Sequence, residues 1–220
     1  MEDPLSRPAP VVPLLAAVVL VALNLRPAVA SVPPLLDTIQ RQLGLSSAAA
    51  GLLTTLPVLC MGVFAPAGSV LARRLGRERA LGAALAVVAA GTFLRGAAPD
   101  LAALFGGTLL VGVGIAVAGA LLPGLVKAYF PHHTGAATGL YTAGLTAGAA
   151  VAAAATVPVS SALGLGWDTA LAAWGLLAVA ALLVWWPLAR RAGGAPDEVV
   201  VHGLPWRHRT AWLLALYTGG

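Results

Sequence analysis

The sequence predicts an all-α integral membrane protein of about six helices, and three features carry that prediction. Hydrophobic residues make up 59% of the 220. Charged residues supply only 10%, where a soluble domain has roughly 25%, and mean hydropathy is +0.89. The apolar residues also fall in runs long enough to cross a hydrocarbon core, which takes about 20 residues of helix. Such a chain cannot cover itself for water, so lipid must solvate it.

Six runs stand out, at about 11–36, 48–72, 80–97, 101–126, 135–157 and 168–188. A seventh begins at Ala211 and has run ten residues by Gly220. At about 1.5 Å per residue that reaches only half a bilayer. Segment 189–210 (ARRAGGAPDEVVVHGLPWRHRT) is the one long polar stretch and reads as a flexible linker. The expected organisation is a six-helix transmembrane bundle over 1–188, a cytoplasmic linker over 189–210 and the start of a truncated seventh transmembrane helix over 211–220.

The short connections test orientation. With a cytoplasmic N-terminus, the inside segments hold Arg7, Arg73, Arg74, Arg77, Arg79, Lys127, Arg190, Arg191, Arg207 and Arg209. The outside loops hold only Arg41 and Arg95, with Asp37, Asp100 and Asp168. Ten bases against two is a strong positive-inside bias. It accounts for the net charge of +5 and the pI near 10.4 without a nucleic-acid partner. The N-terminus lacks the basic n-region of a cleavable signal.

Other chemistry is excluded. Cys60 is the single cysteine and lies in an apolar run, so no disulfide framework can form. The histidines (132, 133, 202 and 208) lack the convergent spacing of a metal site, and His132-His133 reads as a solvated loop pair. The sequence has no phosphate-binding Gly-Lys-Ser/Thr loop and no nucleophile with a plausible base. The expectation is a non-enzyme with no cofactor.

Small residues recur at helical spacing: Gly135, Gly139, Ala143 and Ala147, with Gly144 and Gly148 on the next stripe, and Gly107, Gly112 and Gly114 in the fourth run. They are expected to let helix backbones approach closely.

Arg26 is the thirteenth basic residue and the most informative one. It sits in Asn24-Leu25-Arg26-Pro27, near the middle of the first run. An intramembrane charge is costly and is a functional candidate by default, and Arg cannot shed its proton. No run has an interior Asp or Glu to pair with it. Its partner is then an acid from elsewhere or a polar or anionic solute, for which a guanidinium offers a fixed fork of donors. A structural partnership with other helices and a misplaced helix boundary are the alternatives. Asn24 lies about 200° from Arg26 on an ideal helix, so the two share a face only if the helix is distorted. Pro27 supplies a reason for distortion, and Pro33 and Pro34 end or bend the span further on. Hydroxyls form a second tier: Thr54, Thr55, Tyr141, Thr142 and Thr146 line a polar path or bond their own helix backbones.

The loop Ser69-Val-Leu-Ala-Arg-Arg-Leu-Gly-Arg-Glu-Arg79 resembles the signature between helices two and three of the major facilitator superfamily. Leu71, Ala72, Arg74, Gly76 and Arg77 match it, whereas Arg73 replaces the usual Asp and Ser69 the usual Gly. Two further stretches narrow the resemblance: Leu23-Asn-Leu-Arg-Pro-Ala28, and Leu121-Leu-Pro-Gly-Leu-Val-Lys127 with Phe130-Pro131 and Thr138-Gly-Leu-Tyr-Thr142. Together they look like the cyanate/nitroimidazole transporter family within that superfamily. Gly119 departs from it, standing where that family's pattern has Asn.

The resemblance implies the N-terminal bundle of a twelve-helix transporter working by alternating access with a missing C-terminal six-helix bundle. It makes the first and fourth helices the cavity-lining members of two inverted repeats, with Arg26 and Pro123 on corresponding helices. The expected function is secondary active transport of a small polar or anionic solute, by cyanate-like import or small-drug efflux, in a bacterial cytoplasmic (inner) membrane. The expected substrate contacts are Arg26, Asn24, Tyr141 and Thr142. The expected conformational or gating residues are Pro27, Pro123, Arg74, Gly76 and Arg77. The rival reading is a six-helix scaffold or homodimeric membrane protein without transport activity.

Overall fold

Proline and glycine decide where the helices of this chain begin, bend and stop. A computed structural model describes residues 11–97 and 100–191. The regular structure among them is helical: α1 (Val11–Leu25), α2 (Pro27–Ala30), a 3-10 turn (Pro33–Leu35), α3 (Leu36–Leu43), α4 (Ser47–Leu75), α5 (Arg77–Ala97), α6 (Leu101–Tyr129), α7 (Thr134–Leu163) and α8 (Trp167–Arg191). Six of the spans they make are long and apolar enough to cross a membrane, the first running from Val12 to Leu43 through α1, α2 and α3.

That first span is longer than its apolar run predicts. Pro33 and Pro34 bend it without ending it. The chain continues as α3, with Ile39 fully buried and Asp37 and Arg41 exposed. At the other end of the chain, α8 continues to Arg191, three residues into the expected linker. The rest of that linker and the expected seventh helix lie outside the described residues.

Caps follow the sequence signals. Ser46 accepts from Ala49 N at 3.2 Å to open α4, and Asp100 accepts from Ala103 N at 2.7 Å to open α6. Leu-Gly-Leu closes both α3 and α7, with Gly44 and Gly164 left-handed and the following Leu N–H returning to Gln40 and Ser160. Between α4 and α5 a single residue, Gly76, makes the whole turn at φ 83°. A side chain there would be strained, which explains the glycine of the Leu-Gly-Arg sequence.

The helix contacts are made at glycines. A Cβ on Gly91 of α5 would lie 2.7 Å from Gly107 O of α6, and one on Gly114 would lie 2.8 Å from Ala84 O. Gly112 faces Cys60 of α4, Gly96 faces Ala172 of α8, and Gly148 of α7 faces the Leu23 carbonyl of α1. These pairs match the most extensive helix packings: α5 with α6 and α8, α4 with α6, and α1 with α7. Gly107, Gly112, Gly114, Gly144 and Gly148 therefore pack as expected. Gly135 and Gly139 do not. A Cβ there would meet nothing within 4 Å, and Ala143 and Ala147 are exposed. That stripe serves no helix contact among the described residues.

Polar contacts pin the two ends. At the Gly76 end, Glu78 joins three helices: Tyr129 Oη donates to its Oε1 at 2.7 Å and Trp185 Nε1 to its carbonyl at 2.9 Å. At the opposite end Trp167 Nε1 donates to Gln42 Oε1 at 2.8 Å, above an apolar cluster of Ile39, Leu53, Leu104 and Leu171. Arg73, Arg74, Arg77, Arg79 and Lys127 gather at the Gly76 end. Arg95, expected in a loop at the opposite end, is instead in the last turn of α5 with 1% of its surface exposed. The helix runs on to Ala97 because the chain offers no stop signal until Pro99-Asp100.

Gly107→Val should therefore cost about 2–3 kcal/mol by forcing α5 and α6 apart, whereas Gly139→Val should change stability by less than about 0.5 kcal/mol. Unfolding of the two variants in mixed micelles measures the difference.

Candidate functional site

The first span is broken where its intramembrane charge sits. Pro27 has no N–H, so the carbonyl of Leu23 loses its helical partner, and that carbonyl packs against Gly148. Helix α1 stops at Leu25, Arg26 forms the turn, and α2 starts at Pro27. The Arg26 carbonyl then accepts from both Val29 N, at 3.0 Å, and Ala30 N, at 2.9 Å. The break holds Arg26 midway between Val12 and Leu43.

The Arg26 side chain is exposed and borders a cavity of about 150 Å³. Its walls come from four helices and the break: Leu25 and Arg26, Met61 of α4, Ile115, Gly119 and Leu122 of α6, and Tyr141 and Leu145 of α7. Arg26 is the only charged group among these lining residues, and Tyr141 is the other polar side chain. Gly119 leaves open space, since a Cβ there would meet nothing within 4 Å. Pro123, one turn on, has no N–H to return to the Gly119 carbonyl. Two of the cavity's walls thus carry proline-weakened backbone.

The structure separates the remaining sequence candidates. Asn24 is 1% exposed, on the buried side of α1, and its Nδ2 has no hydrogen-bond partner among the described residues. The kink does not bring it round to Arg26, as the 200° separation anticipated. Thr142 is exposed and lies outside the residues lining the cavity. Thr54, Thr55 and Thr146 donate to carbonyls of their own helices, at 2.9, 3.0 and 3.2 Å. His132 and His133 are exposed in the α6–α7 connection.

The α4–α5 loop meets the same helix as the cavity. Arg77 Nη1 donates to the carbonyl of Gly124 at 3.3 Å, the residue after Pro123. Gly76 is the buried turn and Arg74 is exposed beside it. Arg77 thus reaches α6 at the residue after Pro123, and Arg74 makes no such contact among the described residues.

Sequence reasoning missed the apolar walls (Met61, Ile115, Leu122 and Leu145), which no pattern distinguishes from ordinary core. It also missed the buried state of Arg95, whose place inside the fifth helix was marked by the late Pro99-Asp100 stop. A larger cavity of about 200 Å³ between α7 and α8 offers little chemistry. Thr156 there donates to Ala152 O at 2.5 Å and accepts from Trp174 Nε1 at 3.0 Å.

The exposure of Arg26 and burial of Asn24 predict opposite labelling behaviour. In a Cys60→Ala background, Arg26→Cys should react with a water-soluble maleimide at least about tenfold faster than Asn24→Cys. Equal rates would mean that the break does not turn residue 26 into the cavity.

The chain is 38% identical over 207 residues to the uncharacterized transporter YycB of Bacillus subtilis (strain 168), covering 94% of this chain and 51% of that protein. It is 38% identical over 209 residues to the 2-nitroimidazole transporter of Escherichia coli (strain K12), covering 94% and 53%. To the cyanate transport protein CynX of the same organism it is 36% identical over 209 residues, covering 94% and 54%. The chain thus spans about half the length of the curated relatives it matches. Among solved structures, a crystal structure of tetrameric PepTSo2 superposes with a TM-score of 0.73 at 17% identity, over 96% of this chain and 48% of that one. The peptide transporter POT (E310Q mutant) in complex with sulfate gives 0.73 at 16%, over 99% and 45%. The sequence match to a family model runs from residue 14 to residue 219, and the chain belongs to the Major Facilitator Superfamily.

Proposed function

We propose that this chain provides the solute-binding bundle of a secondary active transporter for a small polar or anionic solute. The observation that carries the reading is Arg26. It is a permanent cation in a helix break, facing a cavity whose other lining side chains include no charge. A cavity-facing guanidinium with no acid among the described lining residues is suited to a small anion or to a planar solute with carbonyl or nitro oxygens. The names of two relatives, for cyanate and for 2-nitroimidazole, describe solutes of those two kinds. A cavity of about 150 Å³ has room for a few heavy atoms, which fits solutes of this size.

In this reading Arg26 orients the solute and Tyr141 offers it a hydroxyl. Asn24 is buried on the other side of α1, and Thr142 is the exposed neighbour of Tyr141. Transport proceeds by alternating access, with this bundle rocking against a second six-helix bundle around the central site. Pro27 and Pro123 are the points at which the cavity helices flex. In the turn of Arg74, Gly76 and Arg77 it is Arg77 that acts as the cytoplasmic latch, holding α6 through the Gly124 carbonyl. The concentration of Arg73, Arg74, Arg77, Arg79 and Lys127 at that end argues for a cytoplasmic N-terminus in a bacterial inner membrane. The bundle then extends through α8 to Arg191.

Arg26→Gln in the intact protein should lower the kcat/KM of cyanate uptake into proteoliposomes by about 10- to 100-fold, the loss expected for a charge-assisted hydrogen bond of about 1.5–3 kcal/mol. Arg26→Lys should fall in between. Unchanged uptake in Arg26→Gln would remove Arg26 from the solute's path.

A further inference from the structure

The second intramembrane arginine, Arg95, is not explained by the solute. It is 1% exposed and sits behind the first span, away from the cavity. Its stem crosses Gly107 of α6 so closely that a Cβ there would lie 2.6 Å from its Cγ. Its Nη1 donates to the carbonyl of Ala28 at 2.8 Å. Its Nε and Nη2 have no hydrogen-bond partner among the described residues. A base near a helix end ordinarily snorkels outward to the headgroups. This one points inward.

The backbone of the first span supplies the reason. A helix leaves its last carbonyls unpaired. Here the residues that would cap Val29 and Ala30, four positions on, are Pro33 and Pro34, which carry no N–H. Val32 N turns to Val29 O instead, at 3.3 Å, and so does not serve Ala28. In lipid an orphaned carbonyl costs several kcal/mol. The Arg95 guanidinium meets it, and its charge sits at the negative end of the short helix. Because the Arg26 carbonyl is bonded to Val29 and Ala30, whatever holds α2 also holds Arg26.

We propose that Arg95 is the positioning residue for Arg26. It caps the carbonyl end of α2, ties the break to α5, and so sets the angle at which the Arg26 side chain enters the cavity. Gly107 is part of the same device, since any side chain there would displace the Arg95 stem. This deepens the reading of Arg26 as the solute contact and, for its effect on transport, rests on it.

Hydrogen exchange of the intact protein in nanodiscs, read together with cyanate uptake, tests the proposal. Arg95→Gln should speed exchange at Ser31 and Val32 by about tenfold or more, the effect of losing roughly one charge-assisted bond, while peptides of α6 stay as in wild type. It should raise KM for cyanate by about tenfold with kcat within about twofold. Arg95→Lys, which keeps the charge, should recover most of both. Arg41→Gln, on the exposed face of α3, should alter neither. Wild-type exchange at Ser31 and Val32 in Arg95→Gln would overturn the proposal. So would uniformly faster exchange with kcat lowered and KM unchanged. If Arg95→Gln does not accumulate in the membrane, Arg95→Lys decides: near-wild-type exchange and KM support the cap, and a break as labile as unprotected loop refutes it. Should Arg26→Gln leave uptake intact, the solute reading falls, yet the exchange data still decide whether Arg95 caps α2.

Discussion

Close backbone approach at glycine is the interaction on which this bundle depends. Lipid tails are as apolar as leucine, so burying Leu against Leu gains little over leaving it in the bilayer, and association must come from packing. Gly91 and Gly107 place the α5 and α6 backbones against each other, Gly112 seats against Cys60, and Gly148 accepts the Leu23 carbonyl. Each contact fixes one helix pair. Together they leave room on the far side of α6 for the cavity at Gly119. The same logic explains why Gly107 serves two neighbours, the α5 backbone and the stem of Arg95.

A membrane span has no water to satisfy its backbone, so each proline in the first span demands a local answer. Pro27 frees the Leu23 carbonyl, and Pro33 and Pro34 remove the donors that would close α2. The chain responds with a turn at Arg26, a 3-10 turn at Pro33–Leu35 and a side-chain donor from α5. The break is a consequence of this accounting, and the cavity-facing charge is a consequence of the break. Sequence, backbone bonding and site are thus linked through Asn24 to Leu35, with the functional reading resting on the last link.

Much of the architecture was legible in the sequence because hydropathy, proline and glycine act locally. The six spans and the loop around Gly76 follow from hydropathy and spacing, whereas Asn24, expected as a solute contact with Arg26, lies on the buried side of α1. What escaped was set by neighbours distant in the chain. The helical continuation to Leu43 depends on Ile39 meeting Leu104 and Leu171, and the inward turn of Arg95 depends on a carbonyl 67 residues away. Gly135 and Gly139 looked like a packing stripe because their spacing is right, but spacing cannot say which stripe finds a partner. Of the candidate site, Arg26 and Tyr141 were singled out by chemistry and line the cavity, and the apolar walls beside them were not singled out.

The central claim is that the break presents Arg26 to a small anion inside the α1–α4–α6–α7 cavity. A crystal structure of the intact protein with selenocyanate tests it most directly, because selenium marks the anion by anomalous scattering. The account predicts a peak in the cavity beside Tyr141 and Gly119, within about 4 Å of the Arg26 guanidinium. A peak elsewhere in the membrane region, with the cavity empty at saturating anion, would contradict it.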